Sequence, residues 1–352
     1  MLDSKMLTQI LENLRTEKRI AGMSVAVTDV NGTIYKAGFG CESALRPEVP
    51  TYPDAMYKIA SMTKTFTSVV ILRLCQEGRL DLDTPIKQYL PWLVLSKPEA
   101  VEAVTLRHLL THTSGLAADD WLPEGTRDEE RIEETLREII PTLPMDSLPQ
   151  ERRYCYSDWG YDIAACVATT VTGKRISQLY KEYVLDPVGL ERTTFDYQVA
   201  STYPLSLPHL RDADGTPCLA HYQRINMAFT GSAGLYSNAE DLCKWARFLL
   251  RNGVTDTGEH LLTEEYAQAL FCKQTPKTDA PGSYYGLGLY VRPFKDYYIY
   301  GHTGNYDPYN SSIFIDKKTG YGVVTLYNTA HADESKPCYI IPEMILEMLA
   351  EE

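Results

Sequence analysis

The sequence predicts an α/β protein of the α+β type: a five-stranded antiparallel sheet assembled from both chain ends and flanked by helices, with an all-helical subdomain inserted. Three observations predict it. Apolar runs of strand character lie near both termini, helical periodicity fills the middle, and no repeat or low-complexity linker separates the two patterns.

The elements follow in order. Leu7, Leu11, Leu14 and Ile20, with charges interleaved, form the apolar stripe of an amphipathic first helix. Met23–Asp29 reads as a strand, Asn31-Gly32 as a tight hairpin turn and Thr33–Gly40 as its partner. At the far end, Tyr297–Tyr300, Ser311–Asp316 and Tyr321–Tyr327 supply three further strands. Lys317-Lys318-Thr319-Gly320 is the turn joining the last two, and Ile340–Ala350 is a closing helix. Between the ends, stretches 61–77, 105–111, 129–140, 159–172, 176–185 and 239–252 are helical, separated by loops rich in proline and glycine. Residues 1–58 with 282–352 therefore form the sheet subdomain and 59–281 the helical one. Such junctions commonly hold an active site in their cleft.

Composition narrows the function. With 352 residues, 44% of them hydrophobic, there is ample material for a large core. A formal net charge of −13 and the lack of any lysine or arginine cluster argue against a nucleic-acid partner. The eight cysteines include no C-x-x-C pair, so neither a zinc site nor a disulfide framework is indicated. The charged amphipathic start lacks a signal peptide's apolar core, which places the chain in the cytoplasm unless an export segment has been removed. No run is long and apolar enough to span a bilayer. No metal and no cofactor is implied, and the expected partner is a small-molecule substrate.

Ser61 is the only serine with a lysine three residues downstream. On a helix that spacing puts Lys64 and Ser61 on one face, with the serine in the positive first turn. An amine buried among neighbours such as Phe66, Val69, Val70 and Leu72 can act as acceptor for a serine proton. Tyr156-Ser157-Asp158 precedes the helix that begins near Trp159 and places a phenol where it can accept or relay protons. Gly301-His302-Thr303-Gly304-Asn305 follows the strand Tyr297–Tyr300. Its glycines permit close backbone approach to a ligand, and the Asn305 amide is placed to hold an oxyanion.

Together these three elements resemble the penicillin-recognising serine hydrolases, specifically the branch of class C β-lactamases, D,D-peptidases, esterases and D-aminopeptidases. That family uses S-x-x-K, Y-x-N and K-T-G or H-x-G in this order and at similar separations. Thr84–Pro91, Leu106–Leu116 and Gly231–Ser237 also look like the family, and the resemblance spans roughly residues 15 to 330. It implies a β-lactamase/transpeptidase-like fold and a Ser61 acyl-enzyme, with Lys64 and Tyr156 moving protons. Asn305 and Ser61 would donate to the oxyanion, and His302, Thr303, Gly304 and Asp158 would bind substrate. The alternative is a penicillin-binding sensor or a weak β-lactamase with little turnover.

Two decoys and a departure qualify the match. Lys318-Thr319-Gly320 spells the third motif literally but falls in a turn between two strands, so we set it aside. His112-Thr113-Ser114-Gly115 follows a short helix and reads as a structural exit. Asp158 stands where the family usually has asparagine. An ionised aspartate only accepts hydrogen bonds, so it would pair with Lys64, moving the base role toward Tyr156, or attract a substrate ammonium. His302, mostly neutral near pH 7, is a poorer carboxylate anchor than the family's lysine. Both changes favour an esterase, amidase or aminopeptidase over an efficient β-lactamase. Tyr284, Tyr285, Tyr306 and Tyr309 are candidate aromatic walls.

Overall fold

The computed structural model describes residues 2–117, 131–220, 230–330 and 336–351. The chain opens with α1 (Ser4–Glu17), β1 (Gly22–Thr28), β2 (Thr33–Gly40) and β3 (Tyr57–Lys58). Helices α2 (Thr63–Gln76), α3 (Leu106–Leu110), α4 (Ile132–Ile139), α5 (Asp158–Thr172), α6 (Ile176–Tyr180), α7 (Asp186–Val188) and α8 (Tyr197–Ala200) follow. Next come β4 (His209–Arg211), β5 (Pro217–Leu219), β6 (Tyr236–Ser237), α9 (Ala239–Leu250) and α10 (Glu264–Phe271). The last part holds β7 (Thr275–Pro276), β8 (Tyr284–Tyr285), β9 (Tyr290–Phe294), β10 (Tyr297–Tyr306), β11 (Tyr309–Asp316), β12 (Tyr321–Tyr327) and α11 (Pro337–Ala350). Among the described residues no helix is long and apolar enough to cross a membrane.

The main sheet has eight strands in the order β2-β1-β12-β11-β10-β9-β8-β7, all antiparallel. The expectation of five is corrected: β7, β8 and β9 extend the edge beyond β10. Two of these strands have only two residues each, too short for their alternation to register against neighbouring loops. Both faces are covered. Met23, Val25 and Val27 of β1, Phe314 of β11 and Val323 of β12 join α1 and α11 in one core. The alternate residues Ala26, Ile313, Ile315, Val324 and Leu326 meet the helices on the other face.

Helix α9 belongs to that second layer. Its periodicity groups it with the inserted helices, but it packs on β1, β11 and β12. Trp245 explains why: its ring stacks on Phe66 of α2 at 4.2 Å and its Nε1–H donates to Thr65 Oγ1 at 3.0 Å. Burying each such side chain contributes about 1.5–3 kcal/mol, so α9 ties α2 to the sheet. The expected helix 176–185 is also modified: α6 ends at Tyr180 and Lys181–Leu185 forms a wider π-helical turn. Of the expected helix 129–140, residues 129 and 130 lie outside the described residues.

Candidate active site

Ser61 lies in a 3₁₀ turn, Ala60–Met62, between β3 and α2, rather than in the first turn of α2 itself. A 3₁₀ turn superimposes residues three apart, so the reach from Lys64 survives. Ala60 has φ +49°, a left-handed value that costs a non-glycine residue roughly 1–2 kcal/mol. The turn is held in place by its neighbours. The Ile59 N–H donates to the Leu235 carbonyl at 2.9 Å, and the Ile59 carbonyl accepts from Ser311 Oγ at 2.7 Å. Gly304 of β10 lies against the same carbonyl, where a Cβ would come within 2.1 Å of its oxygen. That glycine therefore admits protein backbone, where the sequence suggested a ligand.

Lys64 is wholly buried. Its Nζ lies 3.0 Å from Ser61 Oγ and 3.1 Å from the Ser232 carbonyl, and it forms an ion pair with Asp158 at the start of α5. The Tyr156 ring covers it, with its centroid 4.9 Å from Nζ. Three chain segments thus converge on one amine.

One helical turn beyond Asp158, Asp162 faces the same way. Its carboxylate accepts from the Gly231 and Ser232 N–H groups, both at 3.1 Å, and from Ser232 Oγ at 3.0 Å. Burial, and then the charge of Asp158, push this carboxyl well above the usual range. Asp162 so fixes the loop whose Ser232 carbonyl holds Lys64.

The opposite wall is β10, which runs through Tyr306; the His302–Asn305 segment is inside the strand, not beyond its end. The ladder with β9 stops at Gly301↔Tyr290, and among the described residues no other strand continues it along that edge. His302 is fully buried, with Nδ1 2.5 Å from the Thr303 carbonyl and Nε2 2.9 Å from the Tyr285 hydroxyl. A carbonyl only accepts, so Nδ1 carries the proton and Nε2 accepts from Tyr285. Burial, and then Lys64, hold the ring well below the usual histidine range, hence neutral. With both nitrogens engaged inside the protein, His302 braces the wall, which corrects the expectation that it orients substrate directly. Thr303 is half-buried, its hydroxyl 3.2 Å from the Tyr339 hydroxyl. Asn305 is exposed at the rim, its side-chain amide donating to Asn310 Oδ1 at 2.8 Å.

The aromatic candidates divide. Tyr285 is buried against His302 and His112, whereas Tyr309 is buried elsewhere, its hydroxyl donating to the Ser206 carbonyl at 2.7 Å. Tyr306 lies over Lys58 Nζ at 3.6 Å, and Tyr284 packs with Lys273 and Tyr298. Lys277, a cation on this wall, is engaged by the Tyr154 hydroxyl at 3.0 Å and Asp279 at 3.4 Å. Lys318-Thr319-Gly320 sits in the β11–β12 turn. Sequence reasoning assigned no role to Ser232 or Asp162. The available signal was the four-residue spacing of Asp158 and Asp162 on one helix face.

A serine beside a buried amine and a phenol, at the junction of an antiparallel sheet and a helical layer, defines the serine-reactive β-lactamase/transpeptidase class. The Beta-lactamase family model matches residues 7–338, and the chain belongs to that family. It is 25% identical over 320 residues to protein flp of Staphylococcus aureus (strain MW2), covering 91% of this chain and 62% of that relative's length. The octameric penicillin-binding protein homologue of Pyrococcus abyssi has a similar fold, with TM-score 0.85 and 24% identity over 100% of this chain and 78% of that one. The D-amino acid amidase of Ochrobactrum anthropi SV3 superimposes with TM-score 0.82 at 20% identity, covering 99% of each chain.

Proposed function

We propose that the chain is a serine hydrolase that cleaves an ester, amide or peptide bond of a small substrate through a Ser61 acyl-enzyme. The observation that carries this reading is the partner set of Lys64. A neutral amine has two N–H bonds and one lone pair. In the ion pair with Asp158 the Lys64 ammonium donates to Ser61 Oγ at 3.0 Å, to the Ser232 carbonyl and to Asp158, and passing one proton to Asp158 leaves the amine lone pair facing the Ser61 hydroxyl. After accepting the proton, the ammonium has three N–H bonds for the same three partners. The site therefore suits the lysine on both sides of the transfer without rearrangement.

Ser61 Oγ attacks the substrate carbonyl as its proton passes to Lys64. The bond to the leaving group breaks as Tyr156 relays a proton onto the departing nitrogen or oxygen. Water then attacks the acyl-enzyme, releasing an acid and restoring the Ser61 hydroxyl. The Ser61 and Asn305 amides serve as oxyanion donors, each worth on the order of 3 kcal/mol by analogy with other enzymes. The open edge of β10 from His302 onward receives the substrate, alongside Thr303 and Gly304. A sheet wall without a lysine at position 302 supports uncharged or amine-bearing acyl groups over carboxylated β-lactams.

The test is a panel of p-nitrophenyl esters, aminoacyl anilides and nitrocefin, run on wild type and Ser61→Ala, with mass spectrometry after fluorophosphonate and, separately, after penicillin treatment. Turnover and a Ser61 adduct, both absent in Ser61→Ala, are expected. No adduct in folded wild type overturns the reading, and a permanent penicillin adduct without turnover identifies a sensor instead.

A further inference from the structure

We propose that His112 is a positioning residue for the proposed reaction, holding Tyr156 in the orientation from which it protonates the leaving group. The inference rests on Tyr156 being that proton donor, but its evidence is separate. The His112 carbonyl accepts from the Cys155 N–H at 2.8 Å, and its Nδ1 accepts from the Ser157 N–H at 3.1 Å. These bonds fix the residues on either side of Tyr156. Its ring packs on the Tyr156 ring, with centroids 4.1 Å apart and planes inclined by 32°. One residue thus grips three consecutive positions around the phenol.

The clamp itself is rigid. His112 is buried in a turn where it adopts φ +56°, and its neighbours are pinned by Thr113 N–H to the His108 carbonyl at 2.9 Å and Asp146 N–H to the Gly115 carbonyl at 2.8 Å. A Cβ on Gly115 would come within 2.1 Å of the Ser147 carbonyl oxygen, so the turn is pressed closely against that segment. A backbone N–H can only donate, so Nδ1 must stay unprotonated for the clamp to hold. Burial, and then the charge of Lys64, keep the ring well below the usual histidine range and so preserve that acceptor.

The chemistry distinguishes this role from general support. p-Nitrophenolate leaves without a proton, whereas methoxide from methyl butyrate needs one. Both butyrate esters give the same acyl-enzyme, so the comparison uses kcat/KM, which reports acylation alone. Asparagine tolerates left-handed backbone and can place Oδ1 near the Nδ1 position, whereas glutamine carries its acceptor a methylene too far.

The experiment measures kcat/KM for methyl butyrate and p-nitrophenyl butyrate on wild type, His112→Ala, His112→Asn and His112→Gln, normalised to fluorophosphonate-titrated sites. In His112→Ala and His112→Gln the loss on the methyl ester should exceed that on the p-nitrophenyl ester by about tenfold or more. His112→Asn should recover most of the difference. Equal losses on both esters, or an asparagine variant no better than glutamine, overturn the proposal even if alanine does not fold. Failure of wild type to label at Ser61 overturns the underlying reaction instead.

Discussion

The helical layer and the sheet that meet at Ser61 form two walls, each of which carries polar groups and uses them differently. On the helical wall, Lys64, Asp158 and Asp162 hold charge or share protons, and each is reached from a different segment. On the sheet wall, His302 is neutral and buried, closed off by Tyr285 and its neighbour's carbonyl and stacked on Tyr290 at 4.4 Å. The difference follows from the secondary structure. Groups converging from the Ser61 turn, α5 and the Gly231-Ser232 loop can surround a single amine, whereas a strand fixed by its ladder offers backbone and a rigid surface. In the proposed reaction, chemistry then belongs to the first wall and shape to the second.

That division can be broken most directly at Asp158. Asp158→Ala leaves the buried Lys64 without its carboxylate, and we expect kcat/KM on a p-nitrophenyl ester to fall by roughly 10²-fold or more, within the range that positioned proton-transfer groups supply. A loss under threefold would remove the helical wall's claim to the chemistry. Asp162 acts one step further away and should show a smaller effect. Asp162→Ala strands two backbone N–H groups and the Ser232 hydroxyl, at about 1–3 kcal/mol for an unsatisfied buried group, and should lower kcat about tenfold. Asp162→Asn keeps an acceptor for both amides and a donor for Ser232 Oγ, so its denaturant midpoint and kcat should stay near wild type. If asparagine fails as badly as alanine, the ionised carboxylate itself is required.

Acid tests the sheet wall. His302 stays neutral when folded but takes up a proton near pH 6.5 when unfolded. The unfolded state therefore binds more protons below that pH, and stability falls as pH drops through this window, by at most about 1.4 kcal/mol per pH unit for one histidine. Asp162 contributes the opposite slope, because its raised value makes the folded state the one that holds the proton. Comparing wild type with His302→Gln between pH 7.5 and 5.5 by urea unfolding cancels the Asp162 term. The variant should lose less stability on acidification than wild type; parallel curves would mean that His302 is not held neutral.

Much of this arrangement was legible in the sequence, for identifiable reasons. Ser61 and Lys64 could be paired because a three-residue spacing has one meaning on a helical turn, and α5 could be bounded because Gly173 ends it at φ +69°. Lys318-Thr319-Gly320 could be set aside because a turn between two strand runs has its own signature. The failures are equally physical. The sequence marked His112 as a structural helix exit, since nothing local reveals that its Nδ1 meets Ser157, 45 residues away. It left Ser232 without a role because a carbonyl has no residue-type signal. It also let Gly304 face a ligand, since only the tertiary fold brings Ile59 against β10.

The smallest expected effect sharpens the comparison furthest, because it asks whether the sheet wall can lose a hydrogen bond without losing chemistry. Tyr285→Phe removes the hydroxyl that satisfies His302 Nε2 and preserves the ring that packs on His112. A buried acceptor left unpaired costs about 1–2 kcal/mol, which thermal unfolding should register as a lowered Tm. The proposed proton path through Ser61, Lys64 and Tyr156 does not include this bond, so kcat on p-nitrophenyl butyrate should change by less than about threefold. A loss approaching that of Asp158→Ala, with the protein still folded, would mean that the histidine and tyrosine of the sheet wall carry protons as well as shape. The two walls would then form one catalytic network.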